Sequence, residues 1–436
     1  MKKAYIAAAV AIAVVGFAGV QQVKYKAQVN AGVEQLTKQI NTSVLIENKF
    51  QAKLHSQQSS YFSSTGVITV ATTAADDLNE LEIEYTVSHG PLALLTGAGY
   101  EIHIVNTAFE GEREQTITST LFNGEPITIQ GSLRSNSING VLKVPTANFS
   151  KNGKAMNAEP ILGNFSASNF NSYGTANTYE VSIKAPVVSF IDQEFKLDIL
   201  NSNLHVNSDL NEQDAAGDIN FQLEKMSGWY TNNNNDTEEL LLSNLVINSH
   251  LNIEKELYNS NVYKLDTLKF GSEHYSDAEF SYTFSGIHGP TALEVMHLSR
   301  NANHKKWENS ELLDAIINLL FERVPELLSL NPEFNIHTLK ANKNGELFLN
   351  ANSSALLDTS KLPSNFADSL DQLNVFSTST ALLNALQLNI DAEIGLDFAE
   401  SISRVNPLLG AVISSHNDTL SFSMKNGETT LNGSKL

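Results

Sequence analysis

The stretch ELEIEYTVSHGP, residues 80–91, decides the fold class. Leu81, Ile83, Tyr85 and Val87 alternate with Glu80, Glu82, Glu84 and Thr86. Successive side chains of a strand point to opposite faces, so a period of two describes a ribbon with one apolar and one wet face. Working outward, the same period recurs in Phe50, Ala52 and Leu54, in Phe195, Leu197 and Ile199, and in Ile219, Phe221 and Leu223. One-sided strands of this kind belong to antiparallel sheets.

Turn chemistry agrees. Asn-Gly pairs begin at Asn123, Asn139, Asn152, Asn344, Asn426 and Asn432. Both residues tolerate the positive φ angles of tight hairpin turns. Gly345 and Gly427 stand in the two clearest cases, each flanked by alternating apolar residues. Only 10 prolines in 436 residues fits long uninterrupted strands. A short repeat, SNLHVNSDLN at 202–211 and SNLVINSHLN at 243–252, reads as two strand units.

The end of the opening stretch returns as YTFSGIHGP, residues 282–290. His89 shares parity with Tyr85 and Val87; His288 shares parity with Tyr282 and Phe284. Both imidazoles are therefore expected on the apolar side, held there by backbone carbonyls. Gly90 and Gly289 permit a bend, and Pro91 and Pro290 preset φ for a turn or helix start. The motif reads as a structural corner that ends a strand. A shared metal would need the two corners to meet, and no acid stands beside them at a fixed spacing.

Helical signals are few. NSELLDAIINLLFERVPELL, residues 309–328, follows the cap candidates Asn309 and Ser310. Its expected apolar face is Leu313, Ile316, Ile317, Leu320, Phe321 and Val324, with a kink or end at Pro325. Residues 381–396 fit both periods. Val29, Val33, Leu36 and Ile40 form a narrow stripe on a short helix.

The first residues, MKK, precede an uncharged apolar run from Ala4 to Val20. As a helix this run spans about 26 Å, near the short limit for a bilayer. A cleaved signal peptide, with Gly16 and Ala18 at its end, competes with an uncleaved anchor, which the length favours. Lys2 and Lys3 direct the start to the cytoplasm and the body to the periplasm. The expected organisation is an anchor at 1–22, a stalk helix at 23–43 and a β-rich body at 44–436, with halves at 44–270 and 271–436. The expected fold class is α+β, predominantly β: an N-terminal transmembrane helix followed by large curved antiparallel β-sheets with a few covering helices.

Charge and composition exclude several functions. With 28 Lys plus Arg against 48 Asp plus Glu, the net charge is -20, which repels nucleic acid. No cysteine is present, so disulfides and thiolate chemistry are absent. HExxH, the nucleophile elbow, phosphate loops and the calcium loop are all missing, so no enzyme activity, catalytic residue, metal or cofactor is expected.

Taken together, the Lys-Lys start with its apolar run, FSS at Phe62 to Ser64, HGP at His89 to Pro91 and the ending LSFSMKNGETTLNGSKL resemble the YdgA-like (DUF945) family of bacterial envelope proteins. Members often carry Arg-Gly before the aromatic of the FSS region; SQQSSYFSS has none. The resemblance implies tethering to the inner membrane and a periplasmic body, and it brings no established activity. Two functions are expected. One is a binding protein that holds lipid or another apolar ligand in a curved sheet. The other is an envelope scaffold acting through self-association or a protein partner.

Overall fold

The computed structural model describes Val33, Glu34, Thr37 and Asn41, and residues 50–435 apart from 61, 73–79, 89–96, 109–117, 119–120, 135, 152, 171–175, 232–235, 306–308, 328, 364–365, 367–374 and 415–417. The expected anchor, most of the expected stalk, and His89, Gly90 and Pro91 lie outside the described residues. No helix among the described residues is long and apolar enough to cross a membrane. The chain is predominantly β, with antiparallel pairing and a few helices. It divides into two compact units, 1–209 and 210–436. The boundary expected at 270/271 falls instead at a hairpin tip, where Phe270 pairs with Glu273.

In the first unit, β1 (Phe50–Ser59), β2 (Ser63–Thr72), β3 (Glu80–Ser88), β4 (Ala98–Ala108), β5 (Ile127–Arg134) and β6 (Ser137–Val144) pair in chain order. A small hairpin of β7 (Ala147–Lys151) and β8 (Lys154–Ala158) follows. β9 (Ile161–Phe170) returns to β6, then β10 (Ala176–Asp192) pairs with β9 and β11 (Phe195–Leu210).

Register turns the alternation into a core. Ile68, Ile83, Ile104 and Ile127 lie opposite one another across four strands, and all are buried. The wet side of the same strands carries Glu84, His103 and Thr128 in one row. Val33 and Phe122 are buried in the same core cluster as the isoleucines, and Leu121 packs against it. Asn41 ties its segment to the sheet by accepting from Ala52 N at 2.6 Å and donating to Ala52 O at 2.9 Å. Val33, only 1% exposed, is thus part of the body's core.

Asn139-Gly140, expected as a turn, lies inside β6 instead. A Cβ on Gly140 would sit 2.2 Å from the Tyr100 hydroxyl and 2.5 Å from the Phe165 ring. The glycine is there because two aromatic rings cross it, and Tyr100 donates to Asn139 O at 2.9 Å. The other described Asn-Gly pairs behave as expected. Positive φ occurs at both residues of Asn123-Gly124, Asn344-Gly345, Asn426-Gly427 and Asn432-Gly433.

In the second unit, β12 (Ala215–Thr231), β13 (Thr237–Ile253), β14 (Glu256–Phe270) and β15 (Glu273–His288) form hairpins of 15–17 residues per strand. Then come α1 (Gly289–Lys305), α2 (Asn309–Glu322) and α3 (Val324–Leu327). β16 (Glu333–Lys343) and β17 (Glu346–Leu357) extend the sheet, and α4 (Val375–Ala385) leads into β18 (Leu386–Ile394). α5 (Leu396–Val405) and α6 (Pro407–Ser414) precede the closing hairpin of β19 (Thr419–Lys425) and β20 (Glu428–Leu431). The ambiguous stretch 381–396 is therefore helix up to Ala385 and strand after it.

α2 starts at the expected cap and breaks at Arg323, ahead of Pro325, whose ring cannot continue the ladder. Its expected apolar face is split. Ile316 turns inward with Leu312, Ala315 and Leu319, while Leu313, Ile317 and Leu320 are 57%, 39% and 37% exposed.

The core row generates two predictions. Ile129→Ala, at a position 0% exposed, should cost about 2–5 kcal/mol in urea unfolding, whereas Gln130→Ala on the wet face should change stability by less than about 0.5 kcal/mol. Burial raises the Tyr85 hydroxyl to about 12, an effect partly offset by a hydrogen bond from Gln57, and burial raises the Tyr100 hydroxyl as well. The folded state thus keeps phenolic protons that the unfolded chain releases near pH 10. The resulting stability is complete below pH 10 and declines as pH rises from 10 towards 12. Alkaline melts of Tyr85→Phe and Tyr100→Phe should show a shallower decline.

Candidate functional site

Pairing carries one apolar face across the second unit. Phe221 lies opposite Ile247, and the row continues through Tyr263, Phe280, Leu339, Ala351, Ala392 and Leu420. A neighbouring row runs through Tyr282, Ile336, Ser353, Ile390, Phe422 and Leu431. The opposite face is polar: Asp218, His250, Ser260 and Thr283 share one row there, and Asn352, Asp391 and Ser421 another. The one-sided pattern of the opening stretch thus extends over this whole sheet.

Helices cover the two ends of the apolar face. At one end, Leu293 and Met296 of α1 pack on Leu251, Ile253 and Leu257. At the other, Ala399 and Ile402 of α5 and Ile413 of α6 pack on Leu349, Ala392 and Leu420. Between them runs an aromatic chain. Tyr263 stacks on Phe280 at 5.8 Å between centroids, Phe280 meets Tyr282 at 5.3 Å, and Tyr282 meets Phe334 at 5.6 Å. All four rings keep solvent contact, Phe334 at 37%. A contiguous, half-exposed aromatic surface is the feature a ligand or partner would cover.

The corner at the end of β15 departs from simple alternation. Asn259 pairs with Phe284, but Leu257 pairs with Ile287. One extra residue is therefore accommodated around Gly286, which holds φ at +76°. This bulge returns Ile287 to the apolar side and sends His288, opposite Glu256, to the other one. His288, expected on the apolar face by parity, lies on the other one because the bulge shifts phase by one. The ring's partner is also a hydroxyl in the first turn of α1, not a backbone carbonyl: His288 Nδ1 lies 2.9 Å from Thr291 Oγ1. Gly289 N–H donates to Lys255 O at 2.9 Å, and a Cβ at Gly289 would sit 2.1 Å from Glu254 O. Pro290 follows in the first turn of α1, where the missing N–H costs nothing.

Residues 1–407 match the model of the family described as "Bacterial protein of unknown function (DUF945)". The chain belongs to the DUF945 family. No curated protein and no solved structure matches it. The closing hairpin of this DUF945 chain, which also suggested the resemblance, lies beyond the matched span.

Among the described residues no three His, Asp or Glu side chains group to hold a metal ion. A depression at the hairpin tips is lined by Glu238, Glu239, Glu273 and Lys269, with Lys269 already paired to Glu239. The aromatic chain is the stronger site, and alternation alone did not reveal it. β14 places Leu257, Asn259, Asn261, Tyr263 and Leu265 in one phase, so two amides interrupt its apolar period. Only the register shows that Tyr263 adjoins Phe280.

The bulge can be tested directly. A Cβ at Gly286 would lie 2.1 Å from Asn331 O, in a left-handed conformation. Gly286→Ala should cost about 2–4 kcal/mol in urea unfolding. Gly345→Ala, where φ is +86° and nothing lies near the Cβ, should cost only about 1 kcal/mol.

Proposed function

We propose that this protein is anchored in the bacterial inner membrane by its N-terminal segment and that its periplasmic body holds an apolar ligand, the acyl chain of a lipid. The observation that carries this reading is the half-exposed aromatic chain Tyr263–Phe280–Tyr282–Phe334, lying between the helices that, among the described residues, pack at the two ends of its sheet face. Each methylene laid on that surface gains about 0.8 kcal/mol when fully removed from water. The sheet would curve around the chain. The reading includes no catalytic step, metal or cofactor, and the charge of -20 argues against nucleic acid as a partner.

A second reading, an envelope scaffold acting through self-association or a protein partner, draws on the exposed Leu313, Ile317 and Leu320 stripe of α2. Native mass spectrometry of the full chain from mild detergent separates the two. The first reading expects a lipid adduct that Phe280→Lys abolishes and Ile317→Lys leaves unchanged. A lipid-free oligomer that Ile317→Lys dissociates would replace it with the second.

A further inference from the structure

The apolar face contains a polar spot at its centre. Asn261, 5% exposed, lies opposite Ser249 on one side and Tyr282 on the other, with Ile219 and Ile336 next beyond them in the row. Alternation calls for an apolar residue there. An amide in such a position is costly unless its hydrogen bonds are made. Asn261 Nδ2 donates to Asn259 Oδ1, and Asn259 Nδ2 donates to the backbone of His250 at 3.1 Å. Tyr282 lies opposite Asn261 on β15, and Tyr263 stands two residues along β14 in the same phase. Each phenol carries one O–H donor and an amide two N–H donors, of which Asn261 gives one to Asn259. The cluster therefore offers donors to an incoming oxygen.

The chemistry of that oxygen follows from the neighbours. The row through Asn261 holds Ile219, Ser249, Tyr282, Ile336 and Ser353, all uncharged. Along β14 the same phase holds Leu257, Asn259, Tyr263 and Leu265. With no cation in these rows among the described residues, the cluster cannot offset a desolvated carboxylate or phosphate. Neutral donors suit a neutral acceptor. Burial first, and then the neighbouring Tyr263, hold the Tyr282 hydroxyl above its ordinary pKa, so it remains a donor at neutral pH.

We propose that Asn261, Tyr263 and Tyr282 bind the carbonyl oxygen of an uncharged acyl ester whose chain lies along Phe280 and Phe334. The inference rests on the acyl-chain reading above and adds the polar end of the ligand to it.

The test uses the full chain in detergent with three probes: dioleoylglycerol, its dialkyl ether analogue lacking both carbonyls, and oleate. Binding is read by competition with a fluorescent acyl probe. The wild type should prefer the diester to the diether by about tenfold, the worth of one hydrogen bond. The double variant Tyr263→Phe/Tyr282→Phe keeps both rings and should reduce the preference to about twofold or less, with diether affinity unchanged. Asn261→Ala should weaken the diester selectively; if it fails to fold, the tyrosine variant decides alone. Equal affinity of the wild type for diester and diether, a preference that survives loss of both hydroxyls, or tighter binding of oleate would overturn the ester assignment and leave the acyl-chain reading standing. Failure of all three probes to bind would overturn that reading itself.

Discussion

An apolar sheet face must be covered, and this requirement organises the molecule. Strands with one oily side are stable only when cross-strand register brings their oily residues together and something excludes water from the row. In the first unit the row Ile68–Ile83–Ile104–Ile127 is buried in one core cluster with Val33 and Phe122. In the second unit the strands β12 to β15 run 15–17 residues, and among the described residues the buried packing of α1, α5 and α6 lies at the ends of the face. Its aromatic centre is left half-wet. The difference between the two units is one of cover, since both follow the same alternating pattern.

Small residues maintain the registers that make these rows. Gly140 leaves room for Tyr100 of β4 and Phe165 of β9, whose rings fill the space its own missing side chain would take. Gly286 accepts a left-handed conformation against the backbone of Asn331, and the resulting bulge restores Ile287 to the apolar side. The bulge also directs His288 to Thr291, so that strand β15 passes straight into α1. Position in the ladder, more than residue type, assigns each of these side chains its role.

Much of the fold was legible in local pattern. Ile83, Tyr85 and Val87 are buried as their alternation with glutamates requires, and Asn344-Gly345 and Asn426-Gly427 turn their hairpins with positive φ at both residues. α2 begins at Asn309 and stops short of Pro325. Less of the site was legible. The Asn259 and Asn261 amides disguise β14 as a mixed strand, and the aromatic chain is drawn from β14, β15 and β16. The inward side of α2 was misread because Leu312 and Leu313 are chemically equivalent neighbours, and only packing selects between them.

The amino-acid sequence by itself determined a predominantly antiparallel β protein with tight Asn-Gly hairpins and membership of the DUF945 family, because period, turn propensity and motif are properties of short segments. Tertiary structure alone decided which rows the strands form, where the two units part, which way His288 points and how a buried amide comes to lie beside two tyrosines. Each of these depends on the register between segments distant in the chain, and a single bulge, invisible to periodicity, moves every side chain beyond it to the other face.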